Sequence, residues 1–422
     1  MKVFNIFSTL FSTFLLLAAL PLQAQVQHDS IATEFIRTVQ LSLAGSESQP
    51  PVLSLDGPHR LQLSFDELSD QSHSFRYRIT HCDAQWRPDG LEPYQFLDGF
   101  DEGYINDFES SFTTLMPYMH YSCRLPADYT RFLISGNYLL TVTPDDRPDS
   151  VLFTRRFWVT EQAIDAAVTV ARAADDIHHC QEVSVTLDWN KQRTPRSGII
   201  LQPQYIKVFV QQNGRIDNLR LLPFSNYSGT ALCYQWRHEN VFPGGNSFRF
   251  FDMSNLRATM YNVQRVYTYG GEIFVALRPD EDRSRKNYSP VESLNGGYKI
   301  NARDRNNPIL ESEYAWVNFS LPVERPYLGG AVYIVGDLTD WRLDETSRME
   351  WNPDYRAYVK RLELKQGYYA YQLIYRPFGD REGLTSTVEG DHYATPNTYT
   401  AYVYYRGPND FYDRLIQLRQ AR

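Results

Sequence analysis

The residues able to do chemistry are few, and their spacing argues against a reaction centre. His178-His179-Cys180 is the densest group of potential metal ligands. Adjacent residues on a strand point to opposite faces, so three in a row cannot easily chelate one ion. His238-Glu239 begins like the helix of a zinc protease, but Phe242 stands where the second histidine belongs. Asp98 and Asp101 could pair as glycosidase carboxylates, yet with 50 acidic residues in the chain such pairs arise by chance. No G-x-S-x-G elbow, phosphate loop, G-x-G-x-x-G turn or D-x-D-x-D-G calcium loop occurs. The expectation is a protein that is not an enzyme and uses no cofactor or metal.

Cys82, Cys123, Cys180 and Cys233 allow three pairings, and none lies in a C-x-x-C. If bonds form, pairing within domains gives Cys82–Cys123 and Cys180–Cys233; free buried thiols are the alternative. Oxidising conditions are expected from the N-terminus. Met1-Lys2 is followed by an uncharged apolar run to Leu22 and then Gln23-Ala24, the pattern of a signal peptide over 1–24 cleaved after Ala24. A membrane anchor is the rival reading of the same run. No cysteine follows that would carry a lipid.

The elements that would position any site are strands. Leu61, Leu63 and Phe65 alternate with polar neighbours, as do Phe75, Tyr77 and Ile79. The pattern returns at Val183, Val185, Leu187 and Trp189, at Ile206, Val208 and Val210, and at Tyr369, Tyr371 and Leu373. Asn213-Gly214, Pro243-Gly244-Gly245 and Gly329-Gly330 punctuate these runs with turn chemistry. The class expected is all-β: three consecutive immunoglobulin-like or early-set β-sandwich domains over 25–160, 161–318 and 319–422.

Charge is unevenly shared. The 422 residues carry 42 basic and 50 acidic side chains, net −8, with none of the basic excess that nucleic acid demands. By domain the nets are −9, +1 and −1, so the acidity sits in 25–160. Pro88 to Cys123 holds no Lys or Arg, and Phe96, Phe100, Tyr104, Phe108 and Phe112 recur there at every fourth residue. That spacing could mark one helix face, but Gly99 and Gly103 argue against a stable helix. One reading is a long connection whose aromatics dock on the sandwich. The other is a partner-binding surface made of Phe96, Asp98, Phe100, Asp101, Glu102, Tyr104, Asp107, Phe108 and Glu109.

Several blocks carry a family resemblance. They are His81-Cys82-Asp83-Ala84-Gln85-Trp86, Leu97-Asp98-Gly99-Phe100, Ser135-Gly136-Asn137-Tyr138, Arg155-Arg156-Phe157, Gln211-Gln212-Asn213-Gly214, Val241 through Arg249, and Tyr412-Asp413-Arg414-Leu415-Ile416. In this order the chain resembles the type IX secretion system plug proteins of Bacteroidota. Glu292-Ser293-Leu294-Asn295-Gly296 departs from the pattern, which places an acid directly before Asn-Gly. The resemblance implies a periplasmic, non-enzymatic protein at the inner face of the outer membrane. Its partner would be the translocon β-barrel of the secretion system, whose pore it would plug without itself spanning the membrane. Arg155, Arg156 and Arg249 are expected to pair with carboxylates, and Trp86 to be core.

The third domain has its own likeness. Val332 through Trp341, followed by Leu364 through Tyr371, resembles the early-set sandwich shared with family 48 carbohydrate-binding modules. This implies an alternative function, a periplasmic carbohydrate-binding protein stacking sugars on Trp341 and Trp351. An assembly scaffold for the secretion machine is a further alternative.

Overall fold

The structure is a computed structural model describing residues 27–46, 49–188 and 202–422. The expected leader and Trp189 lie outside the described residues. Nearly everything described is strand and turn, as the alternating patterns require.

The first sandwich has two sheets. One runs in the order Ser30–Ile31, Phe153–Thr160, Gly136–Pro144, Phe75–Cys82 and Glu102–Ile105. The other runs Ile36–Leu43, Leu61–Glu67, Met119–Leu125 and Asp107–Ser110. Period-two alternation sends Leu61, Leu63 and Phe65 inward to meet Phe75, Tyr77 and Ile79. Phe65 stacks on Tyr121 with ring centroids 5.0 Å apart, at the heart of this core.

The second sandwich draws on both ends of the remaining chain. Asp165–Arg172, Cys180–Asp188, Ala231–Tyr234 and Asn226–Ser228 form one sheet. The other runs Arg220–Leu222, Ile206–Gln212, Tyr399–Tyr405 and Arg414–Ala421. Val208 therefore pairs with Val403, and the shared core joins Val183, Val185 and Leu187 to Tyr399, Ala401 and Ile416. The third sandwich is the segment between. Arg249–Asp252, Tyr298–Ile300 and Gly330–Val335 gather on Gly367–Pro377, facing the sheet of Val263–Tyr269, Glu272–Leu277, Tyr314–Pro322, Ala357–Lys365 and Glu350–Asn352.

The expected boundary at 318/319 is therefore corrected. It cuts through the strand Tyr314–Pro322 and divides one core, with Phe251 and Val317 on one side and Val332 and Leu373 on the other. It also assigns the C-terminal strands to the wrong sandwich. The third sandwich is an insertion into the second, not its successor. Alternation marks where strands are, but the partner of a strand is set by distant packing.

Candidate functional site

The acidic-aromatic stretch forms one corner of the first sandwich. A single helical turn, Pro93–Phe96, is followed by Leu97–Asp98, which pairs with Arg131–Phe132. The chain then adds Glu102–Ile105 to the edge of one sheet, passes Asn106, and adds Asp107–Ser110 to the edge of the other. The every-fourth spacing is thus two edge strands and a bend, with no helix face. Phe96 is 2% exposed and belongs to the core, so it leaves the candidate surface. Phe100, by contrast, is 82% exposed, and Tyr104 and Phe108 are about half exposed.

The acids are less free than their count implies. Arg131 binds Asp98 at 2.7 Å, and Arg78, on the neighbouring strand, binds Glu102. Asp107 accepts the Ser122 hydroxyl at 3.1 Å. Arg76 lies over the Tyr104 ring, 4.8 Å from its centroid. Asp101 and Glu109 complete the corner. Downstream, the stretch turns away from solvent. Phe112 donates its backbone N–H to Leu310, Leu115 donates to Glu313, and the Tyr118 hydroxyl donates to Ile309 O at 2.8 Å. Most of residues 98–109 are exposed at the corner, while 112–118 strap the first sandwich to the third.

Beneath that strap lies a buried ionic contact. Lys365 Nζ reaches Asp66 Oδ2 at 2.5 Å, with both side chains almost fully enclosed. Tyr314 donates to the same oxygen at 2.6 Å, and His120 Nδ1 sits 2.6 Å from the other. Burial alone would raise the Asp66 pKa, but the Lys365 charge and the His120 contact hold it below its ordinary value. Lys365 also donates to Ile309 O and lies 4.1 Å from the Tyr118 ring centroid.

The motif blocks converge on the other junctions. Asp413 accepts the backbone N–H of Ala84 at 3.1 Å, Tyr404 donates to Asn137, and Arg414 binds Glu161 at 2.7 Å. Arg156 pairs with Asp29, Arg155 with Asp340, and Arg249 with both Glu389 and Asp280. All three arginines thus meet carboxylates. Trp86 is buried against Trp158.

Other sequence expectations are corrected. All four cysteines are free. Cys82 lies on the face of its strand opposite Tyr77 and Ile79, whereas Cys123 packs on the core that those residues fill. A bond between them would have to pass through a sheet. Cys233 pairs in register with Thr186, six residues along the strand from Cys180. That is about 20 Å, far beyond disulfide reach. Burial pushes the Cys82 and Cys123 thiols up to about 12, so neither is a ready nucleophile. His179 bonds Asp176, and no group of three or more ligand side chains among the described residues is arranged to hold a metal.

Trp341 is not an open sugar platform. Gly214 and Gly296, from different parts of the chain, lie so close that an added Cβ would come within 2.3–2.4 Å of its ring. Trp351 packs against Tyr358 at 5.3 Å. Sequence reasoning also missed a second exposed corner. Leu221, Phe224 and Tyr227 lie where Arg220–Leu222 and Asn226–Ser228 form the edges of the second sandwich. Pro223 between two short alternating runs was the available signal.

Comparison with known proteins places the first sandwich. Residues 36–161 match the family model described as type 9 secretion system plug protein, first domain. The chain belongs to the type 9 secretion system plug protein family. Its role is accordingly one related to type 9 secretion. A crystal structure of a hypothetical protein from Parabacteroides merdae is 31% identical, covering 94% of this chain and 100% of that one, with a TM-score of 0.89. An alkylpurine DNA glycosylase from Pseudomonas fluorescens, bound to DNA containing an abasic site analogue, aligns over 29% of each chain at 11% identity. Its TM-score of 0.17 carries no structural likeness. No curated protein matches the chain. In this plug-family chain the matched segment contains the exposed corner, Asp66 and most of the motif blocks, and it ends on Glu161, which grips Arg414 of the C-terminal strand.

Proposed function

We propose that the protein is a non-enzymatic, periplasmic stopper. It docks on the periplasmic mouth of the outer-membrane translocon barrel of the secretion system and closes the pore when no cargo occupies it. The observation carrying this reading is the family match of the first sandwich, and the buried junctions explain why the build suits the task. Occlusion needs a body of fixed shape. Asp66–Lys365 and Glu161–Arg414 tie the first sandwich to both others, resisting the hinge motion expected of sandwiches on a string. The docking surface we assign is the exposed corner: Asp98, Phe100, Asp101, Glu102, Tyr104, Asp107, Phe108 and Glu109. Its aromatics would anchor a contact of more than ~1,000 Å² inside a polar rim.

The test is copurification of the tagged chain with outer-membrane barrels from its native host in gentle detergent, alongside uptake of a large antibiotic by a deletion strain. Recovery with a large barrel and increased uptake on deletion are expected. Recovery with no barrel partner would sink the docking, and capture with unchanged uptake would favour a scaffold.

A further inference from the structure

The three sandwiches leave a cleft of about 450 Å³ where they meet, within the range of small-molecule sites. Each contributes a wall. The first supplies Gln40 and Trp158, the second Tyr402 and Gln420, and the third Tyr298 and Asp337. We propose that this cleft binds a neutral, polyhydroxylated ligand, a short oligosaccharide.

The charge balance favours a neutral guest. Side-chain carboxylates of Asp29, Asp337 and Asp340 stand against the guanidinium groups of Arg155, Arg156 and Arg422. Two of these acids are already matched, Asp29 with Arg156 at 3.0 Å and Asp340 with Arg155 at 3.1 Å. An ionic ligand would have to break such a pair to gain a counter-charge. Hydroxyl groups can instead bond to the pairs from outside, because carboxylates keep spare lone pairs and guanidinium groups spare N–H donors.

Asp337 supplies the unfilled acceptor. Its Oδ1 takes the Trp341 indole N–H, while Oδ2 has no protein donor among the described residues. Desolvation at the cleft wall pushes this carboxyl up to about 6, with the neighbouring Asp340 charge adding to the rise, while the side chain stays open to the cleft. A ligand hydroxyl on Oδ2 would fill that place without importing charge.

Rings and amides complete the site. Trp158 packs on the buried Tyr402 ring, 5.5 Å away at 30°, which leaves the half-buried indole as the aromatic contact for the apolar face of a sugar ring. The Gln40 and Gln420 amides also line the cleft; Gln420 donates to the Thr400 hydroxyl at 3.1 Å and keeps its amide oxygen as an acceptor. This site is distinct from the outer surface of the third sandwich, where Trp351 is committed to packing, and it does not depend on docking to a barrel.

The test uses the full mature chain and three probes: maltotriose, cellotriose and triacetylchitotriose, titrated by calorimetry and by tryptophan emission. We expect at least one to bind saturably and to shift the emission, because Trp158 and Trp341 line the cleft. Gln420→Trp places a large ring in the cleft from an exposed position and should abolish binding with the fold intact by circular dichroism. Asp337→Asn should weaken it about tenfold, the loss of one charge-assisted hydrogen bond. The proposal is overturned if no probe saturates, or if binding survives Gln420→Trp unchanged. It is also overturned if tetra-alanine binds as tightly with the same sensitivity, which would make the cleft a peptide groove.

Discussion

The corner and the junction of the first sandwich reverse the usual assignment of residue types. At the corner, large aromatic rings stand in solvent; at the junction, charged side chains are shut away from it. Burying a ring such as Phe100 would be worth about 1.5–3 kcal/mol, so its exposure forgoes stability. Enclosing Asp66 and Lys365 costs solvation that their attraction only partly returns. Neither arrangement is explained by stability alone. The specificity of one mutual orientation would account for the junction, and the docking surface proposed above would account for the corner.

The sharpest way to break this comparison is at the junction. Lys365→Ala removes the enclosed cation beside Asp66 and leaves the buried carboxylate with only its Tyr314 and His120 contacts. We expect a loss of about 3–5 kcal/mol in chemical denaturation. Replacing both partners, Asp66→Leu with Lys365→Met, should recover much of that loss, since no charge then remains buried. If the double variant is as unstable as the single one, the contact stabilises through more than its charges and the contrast with the corner fails.

The next test stays within the every-fourth series. Phe96→Ala empties a core site and should cost about 3–4 kcal/mol. Phe100→Ala should change stability by less than about 0.5 kcal/mol, because nothing folded depends on an exposed ring. The same Phe100→Ala protein should lose capture of the translocon barrel. Equal thermal losses for the two variants would show that the corner is packed.

These two phenylalanines also show what the sequence could reveal. Alternation at Leu61, Leu63 and Phe65 exposes strand and core at once, because side chains on a strand change face with every residue. Phe96 and Phe100 give no such signal. They occupy a turn and the bend after a two-residue strand, where facing depends on the backbone path. The inserted third sandwich was hidden for a related reason. Val208 and Val403 read as two similar strands, and nothing local shows that they are neighbours. The motif blocks were visible as motifs, but only the fold brings Ala84 to Asp413 across 329 residues. The packing of Trp341 was equally closed to sequence reasoning, since Gly214 and Gly296 reach it from separate parts of the chain.

That packing gives a third prediction of intermediate size. Gly214→Ala drives a methyl group to about 2.3 Å from the Trp341 ring, far inside contact distance. The ring, held also by Gly296 and Phe248, has little room to yield. Overpacking of this kind costs about 1–3 kcal/mol. Combining Gly214→Ala with Trp341→Ala should relieve most of the clash, leaving only the loss of the ring. A clash that persists in the double variant would place the strain in the backbone of the 213–214 turn instead.

The smallest expected effect separates by pH the buried Asp66 from Asp337 at the cleft. Asp66 is held below its ordinary pKa, so it stabilises the fold above the unfolded value of 3.8, and that contribution is lost as the solution is acidified below it. Asp337 has the opposite sign. Its pKa is raised from 3.8 to about 6, so the folded state binds the proton more tightly than the unfolded one. Its ionisation therefore erodes stability as pH rises between those values. Asp337→Asn removes the penalty and should match the parent near pH 4 but exceed it near pH 7. The gain should be at most about 1 kcal/mol, because the carboxylate faces cleft water that screens its charge. Thermal melts of both proteins across this range measure it directly. A variant that is less stable than its parent at pH 7 would mean that ionised Asp337 is paired inside the fold, and the open acceptor assigned to the cleft would be lost with it.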